Sequence, residues 1–284
     1  MWLTFCIAVL VCVLAFYLPG FLLFRGLGMS RVRSLLVAPL ASVAGYCVLG
    51  IVLPKFGVFC SWASVALPVL VICAVPLVVR LARKRGEGDS DGHVSVLDWK
   101  TLGLYVVAGL IIGVYIYVTP LGLPDAFSQE YDNAFHMETI RAFADSGVWS
   151  VLDVSKYMTP EDQAIAPLPG AGFYPALWHL MCALIVNALA CPVAVALNAV
   201  NYVVASVLFP AGVMLLLAAI LQDRGAVRLG AVCALAFIGF PWLILYWGPL
   251  YANAFGFALI PMVAALFVRI VDSLVTHTIK AVDI

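Results

Sequence analysis

Seven stretches of this chain stay almost free of charge over a membrane-spanning length: roughly 2–23, 34–53, 58–79, 101–118, 193–221, 229–248 and 253–270. A bilayer core of about 30 Å takes about 20 helical residues to cross, and lipid does not tolerate an unpaired backbone, so such runs must be helices. The rest of the composition agrees. With 65% hydrophobic and 11% charged residues and a mean hydropathy of +1.10, the chain is too apolar for a water-soluble globule or a solvated disordered segment. Its 15 basic and 15 acidic residues cancel, leaving no field to draw nucleic acid. The expected fold is all-α: a polytopic transmembrane bundle in a cell membrane, with the lipid bilayer as its first partner. Cys6, Cys12, Cys47, Cys73, Cys182 and Cys233 lie inside the apolar runs without metal-ligand spacing and are expected as small core residues.

An eighth apolar run, 175–190, fixes the topology. If it does not cross, the N-terminus is outside and the inner side holds Arg25, Arg31, Arg33, Arg80, Arg83, Lys84, Arg85, Lys100, Arg224, Arg228, Arg269 and Lys280, which is 12 of the 15 basic residues. Only Lys55, Arg141 and Lys156 then lie outside. If it crosses, four of the twelve move outside and the positive-inside bias vanishes. The short run is therefore expected to re-enter or lie at the outer interface, which leaves the N-terminus and the 119–174 loop extracytoplasmic. The first run lacks a basic leader and a small-residue cleavage site, and is expected as a retained span. Residues 80–100 form a cytoplasmic linker whose basic cluster serves as a topology signal or a contact for anionic lipid. It divides a three-span unit, 1–100, from a core of 101–284.

The outer loop from Thr119 to Tyr174 carries a formal charge of −6. Within it, DNAFHMETIRAFA (132–144) has helical propensity, with Asp132 suited to the N-cap and Gly147 to the stop. At 3.6 residues per turn, Glu138, Arg141 and Asp145 share a charged side and Met137, Ile140 and Ala144 an apolar one. Asp132, His136, Thr139 and Phe143 form a mixed side. An interfacial amphipathic helix is expected, apolar side to the membrane, holding Asp132 and His136 at the lipid surface. The chain returns through PLPGAGFYPALWH, whose Phe173, Tyr174 and Trp178 suit an interfacial aromatic belt. Tyr174 and His179 there are candidate site residues, together with Asp132, Glu130 and His136.

A transmembrane helix, an outer loop opening with an acid and an interfacial helix, a YPxLxH segment and a long span ending in a basic turn resemble the GT-C superfamily of membrane glycosyltransferases. EYDNAFHMETIRAFADSGVWS followed by FYPALWH is similar, more closely, to an uncharacterised bacterial family of polytopic GT-C-like membrane proteins. The likeness covers about 101–260. It implies a polyprenyl-phosphate-linked sugar as donor and an envelope glycan or protein as acceptor. Asp132 would be the catalytic base; Glu130, His136, Tyr174 and His179 would bind substrate, with Tyr174 and Pro175 at the aromatic-proline position. The second acid of many superfamily members is missing from the second outer loop, Trp247–Asn253, which argues against a bound divalent metal. Since GT-C cores are larger, the chain is expected to be an incomplete core.

Two other classes stay open on the residues alone. A lipid or glycolipid transporter or flippase would use intramembrane polar groups, for which Asn198, Asn201, Pro210 and Gly212 are the candidates, although such groups more often hold helices together. A non-catalytic scaffold for envelope assembly needs no hollow beside Asp132.

Overall fold

A chain in hydrocarbon must satisfy its own backbone, and the computed structural model, which describes residues 1–83, 96–154 and 172–275, coils the apolar runs where expected. In chain order the helices are α1 (Trp2–Gly26), α2 (Arg31–Lys55), α3 (Trp62–Ala82), α4 (Trp99–Leu121), α5 (Tyr131–Ser146), α6 (Leu177–Leu189), α7 (Val193–Ile220), α8 (Arg224–Ala236), α9 (Ile238–Tyr246) and α10 (Tyr251–Val275). Six of them (α1 to α4, α7 and α10) are long and apolar enough to cross a membrane. No strand occurs among the described residues. The protein is an all-α, multi-pass membrane bundle.

The run expected as one span over 229–248 is broken. Helices α8 and α9 meet at 43° where Phe237 is extended (φ −82°, ψ 120°). Pro241, just beyond, has no N–H to continue a helical ladder.

The bundle has two chemically distinct ends. At one, the Arg80 guanidinium donates to the Arg25 carbonyl (2.7 Å), and Arg228 bonds Thr101 (3.1 Å) and Asp98 (3.3 Å). Arg31, Arg33, Arg83, Lys100, Arg224 and Arg269 are at or near this basic end; Lys84, Arg85 and Lys280 lie outside the described residues, as does most of the linker. The opposite end carries α5 and α6, with Lys55 and the exposed Arg141–Asp145 pair (2.7 Å) that the i,i+4 spacing predicts. Lys156 is outside the described residues.

Helix α6 begins and ends at this second end. Its first turn meets α7, where the Trp178 indole donates to Asn201 (3.0 Å). Its last turn meets the start of α3, where the Asn187 amide oxygen accepts from the Trp62 N–H (3.0 Å). It therefore does not traverse the bundle, and after Ala190 the chain turns into α7 and runs to the basic end. It does not lie on the surface either, since every residue from Trp178 to Val186 is buried. Trp178 is thus core rather than an interfacial belt ring, while Phe173 is exposed and Tyr174 half-buried.

Small residues let the long helices approach. A Cβ on Gly109 of α4 would stand 1.9 Å from the Ser206 carbonyl of α7, so this crossing admits only glycine. Asn198 and Asn201 are both hydrogen-bonded within the bundle. Tyr117 donates to Asn198 (3.0 Å), and the Asn198 amide donates to the Pro124 and Ala126 carbonyls (3.0 and 2.6 Å). They hold α4, α6 and α7 together. Of the intramembrane cysteines, Cys12, Cys73 and Cys182 are buried as expected, whereas Cys6 and Cys233 are exposed on the bundle's outside and Cys47 is half-buried. A small apolar thiol is compatible with lipid as well as with core.

Candidate functional site

The N-cap of α5 lies two residues before the one the sequence suggests. Glu130, extended, is the N-cap, and its carbonyl rather than its side chain accepts the Asn133 N–H (3.0 Å). Asp132, proposed for the cap, sits in the first turn instead and is exposed, where the unpaired N–H groups of the helix start favour its charge. Gly147 ends the helix in the left-handed region (φ 65°), as expected.

The helix also buries more than the expected side. Asn133, His136, Thr139, Ile140, Ala142 and Phe143 are buried, and Met137 and Ala144 are half-buried against the core, so the His136, Thr139 and Phe143 side faces inward together with the apolar stripe. The reason is chemical: α6 and the turn before α10 offer polar partners that let a buried imidazole keep its hydrogen bonds. His136 Nδ1 lies 2.8 Å from His179 Nε2 of α6, and His136 Nε2 lies 2.9 Å from the Pro249 carbonyl.

That carbonyl fixes the protons. A carbonyl only accepts, so His136 Nε2 must carry N–H, and in a neutral ring Nδ1 is then bare. His179 Nε2–H donates to it, leaving His179 Nδ1 as a buried acceptor that has no hydrogen-bond partner among the described residues. Burial holds both rings neutral. It pulls His136 below the ordinary histidine range, against the opposing pull of the Pro249 carbonyl and the Asp132 charge. It pulls His179 further down, aided by His136.

Rings enclose this pair. Tyr251 of α10 lies 5.3 Å from His136 and is stacked on Trp178 at 4.9 Å; Phe135 meets Tyr174 at 4.9 Å, and Tyr174 meets His179 at 5.6 Å. Such edge and stacked pairs add about 0.5–1.5 kcal/mol each beyond burial. The Asp132 charge also reaches Tyr174, where burial first and that charge second raise the phenol above its ordinary range.

Of the residues proposed from sequence, His136, His179 and Tyr174 come into one cluster across 43 residues of chain. Asp132 stands one helical turn from His136, outside the rings. Glu130 is exposed at the helix start. Trp178, Tyr251, Phe135 and the Pro249 carbonyl join the cluster without a signal of their own in the sequence: Trp178 beside His179 suits a belt ring equally well, and Trp247–Asn253 offers no charged group.

Beside the cluster is a cavity of about 240 Å³ bounded by Tyr117, Ser128, Asn198, Leu245, Tyr246 and Tyr251, among others. The first turn of α5 is tied to its wall: Asn133 donates to the Ser128 carbonyl (2.7 Å), and the Glu130 N–H donates to the Ser128 hydroxyl (3.2 Å).

No curated protein and no solved structure matches the chain. Residues 13–282 match the model of a family of unknown function, DUF6541. Because that match takes in both the spans and the histidine cluster, the chain belongs to the DUF6541 family.

Proposed function

We propose that this protein is a GT-C-like membrane glycosyltransferase that moves a sugar from a polyprenyl-phosphate donor to an acceptor in the cell envelope, with α5 and α6 on the extracytoplasmic side. The charge map supports the orientation, since the basic end is the one retained in the cytoplasm by the positive-inside rule. One observation carries the reading. An exposed carboxylate, Asp132, sits on a helix turn bonded to the wall of a cavity at the end away from the basic residues.

In this reading Asp132 takes the proton from an acceptor hydroxyl as its oxygen bonds to the anomeric carbon. The bond from that carbon to the phosphate oxygen breaks with inversion, and polyprenyl phosphate leaves with the electron pair. A base held within hydrogen-bond reach is worth about 10²–10⁴-fold. The neutral His136–His179 pair holds α5 in place and Tyr174 walls the acid's side of the cluster, which makes both positioning groups. The satisfied amides of Asn198 and Asn201 favour this chemistry over transport, because their polar atoms are spent on α4, α6 and the loop that follows α4.

The test compares envelope glycans of a strain carrying the wild-type protein with one carrying Asp132→Asn. Loss of a glycan signal in a correctly inserted variant is expected. An unchanged profile would reject Asp132 as the base.

A further inference from the structure

The cavity beside α5 has a chemistry that narrows what it can hold. Among the described residues its walls are the rings of Tyr117, Phe127, Tyr246 and Tyr251 and several aliphatic side chains, with Ser128 and Asn198 among them and no ionisable carboxylate, amine or guanidinium. Phe127 is partly exposed at 46%, while Tyr251, at 3%, is almost fully enclosed. Most of the polar capacity is already committed. Tyr246 donates to the Ile116 carbonyl (2.7 Å), Tyr117 donates to Asn198 (3.0 Å), and both Asn198 amide contacts go to backbone carbonyls. The Tyr251 hydroxyl has no hydrogen bond among the described residues, and the Ser128 hydroxyl accepts from Glu130 but keeps its own proton to donate. Several aromatic faces and two uncommitted hydroxyls thus surround a space too small for an acyl or prenyl chain of any length.

From this we infer that the cavity is a binding subsite for one uncharged sugar ring, whose C–H face stacks on the tyrosines and whose hydroxyls reach Tyr251 and Ser128. A uronic acid would have to desolvate its carboxylate with no counter-charge, facing the negative faces of the rings and close to the turn that carries Asp132, which is strongly unfavourable. The assignment rests on the glycosyl-transfer reading for its role, since it places a neutral sugar next to the turn that carries Asp132. The binding itself stands on the cavity alone. It also predicts specificity: neutral hexosides are accepted, while uronic acids are not.

The test uses the full chain in lipid nanodiscs and saturation-transfer NMR with methyl hexopyranosides and methyl glucuronide as probes. The neutral glycosides should bind, and the charged glucuronide at least about tenfold more weakly. Tyr251→Phe, which keeps the ring and removes the hydroxyl, should weaken binding about five- to tenfold, the value of one hydrogen bond. Ala126→Trp, which fills the space from a wall residue, should abolish it. Equal binding of charged and neutral probes, or full binding by Ala126→Trp, overturns the assignment, as does no binding by the correctly folded wild type. Asp132→Asn separates the two readings. If it binds neutral glycosides but leaves envelope glycans unchanged, the subsite stands and the transfer reading falls; if glycans change while no glycoside binds, the subsite alone falls.

Discussion

Acid should loosen the end of the bundle that carries α5. His136 and His179 are neutral in the fold, and burial holds both below the ordinary histidine range, whereas in an opened state with the rings in water they titrate near pH 6.5. The opened state therefore binds more protons than the closed one as pH falls below about 6.5, and stability rises with pH across that window. The contribution is fully present above about pH 6.5 and is lost on acidification. At pH 5.5 a histidine held neutral costs about 1 kcal/mol relative to its opened form. His179 contributes more of this than His136, because the Pro249 carbonyl and the Asp132 charge support the protonated form of His136. The loss between pH 7.5 and 5.5 is then on the order of 1–3 kcal/mol. Hydrogen exchange of α5 in nanodiscs at the two pH values measures it directly, with a His136→Phe/His179→Phe variant as control for the two histidines elsewhere in the chain, His93 and His277. Wild-type α5 should exchange about 10- to 100-fold faster by opening free energy at pH 5.5, after correction for the intrinsic pH effect, and the double variant should not change. The same protection at both pH values, or the same acid loss in the double variant, would refute the dyad.

Three further outcomes follow from the packing. Asn201→Ala leaves the buried Trp178 N–H without its acceptor and should cost about 1–3 kcal/mol, read as a lower midpoint in thermal unfolding in detergent. Gly109→Ala forces a methyl to within 1.9 Å of the Ser206 carbonyl, whereas a Cβ on Gly103 meets nothing within 4 Å; the first should reduce folded yield sharply and the second should be neutral or slightly stabilising, as measured by size-exclusion recovery. Reporter fusions after Cys191 and Gln222 should give an external and a cytoplasmic signal, respectively, and the opposite pair would reverse the orientation.

The spans were legible because lipid imposes a length and a composition on any crossing segment, and a plain count of apolar residues recovers both. The behaviour of the 175–190 run was legible through charge, since only a non-crossing segment keeps Arg224, Arg228 and Arg269 together with Arg25 and Arg80. Its depth was not. Thirteen residues, Leu177–Leu189, read equally well as a surface helix or a buried one, and only neighbours from α1, α2, α3, α5, α7 and α10 decide for burial. In α5 the periodicity grouped the residues correctly, but more than the apolar side is buried, because a hydropathy pattern cannot anticipate that His136 finds His179 and a carbonyl inside. The proximity of His136 and His179 arises from tertiary packing across 43 residues of chain, for which no local pattern exists. The break at Phe237 had a visible cue in Pro241, but the surrounding run was apolar enough to hide it.

The most direct test of sugar transfer is made on the purified protein in nanodiscs, supplied with a radiolabelled polyprenyl-phosphate hexose and a hydroxyl acceptor. The account predicts glycoside product of inverted anomeric configuration, released polyprenyl phosphate in equal amount, and a rate reduced at least about 10²-fold in Asp132→Asn. Product formed at the same rate by wild type and Asp132→Asn would contradict it.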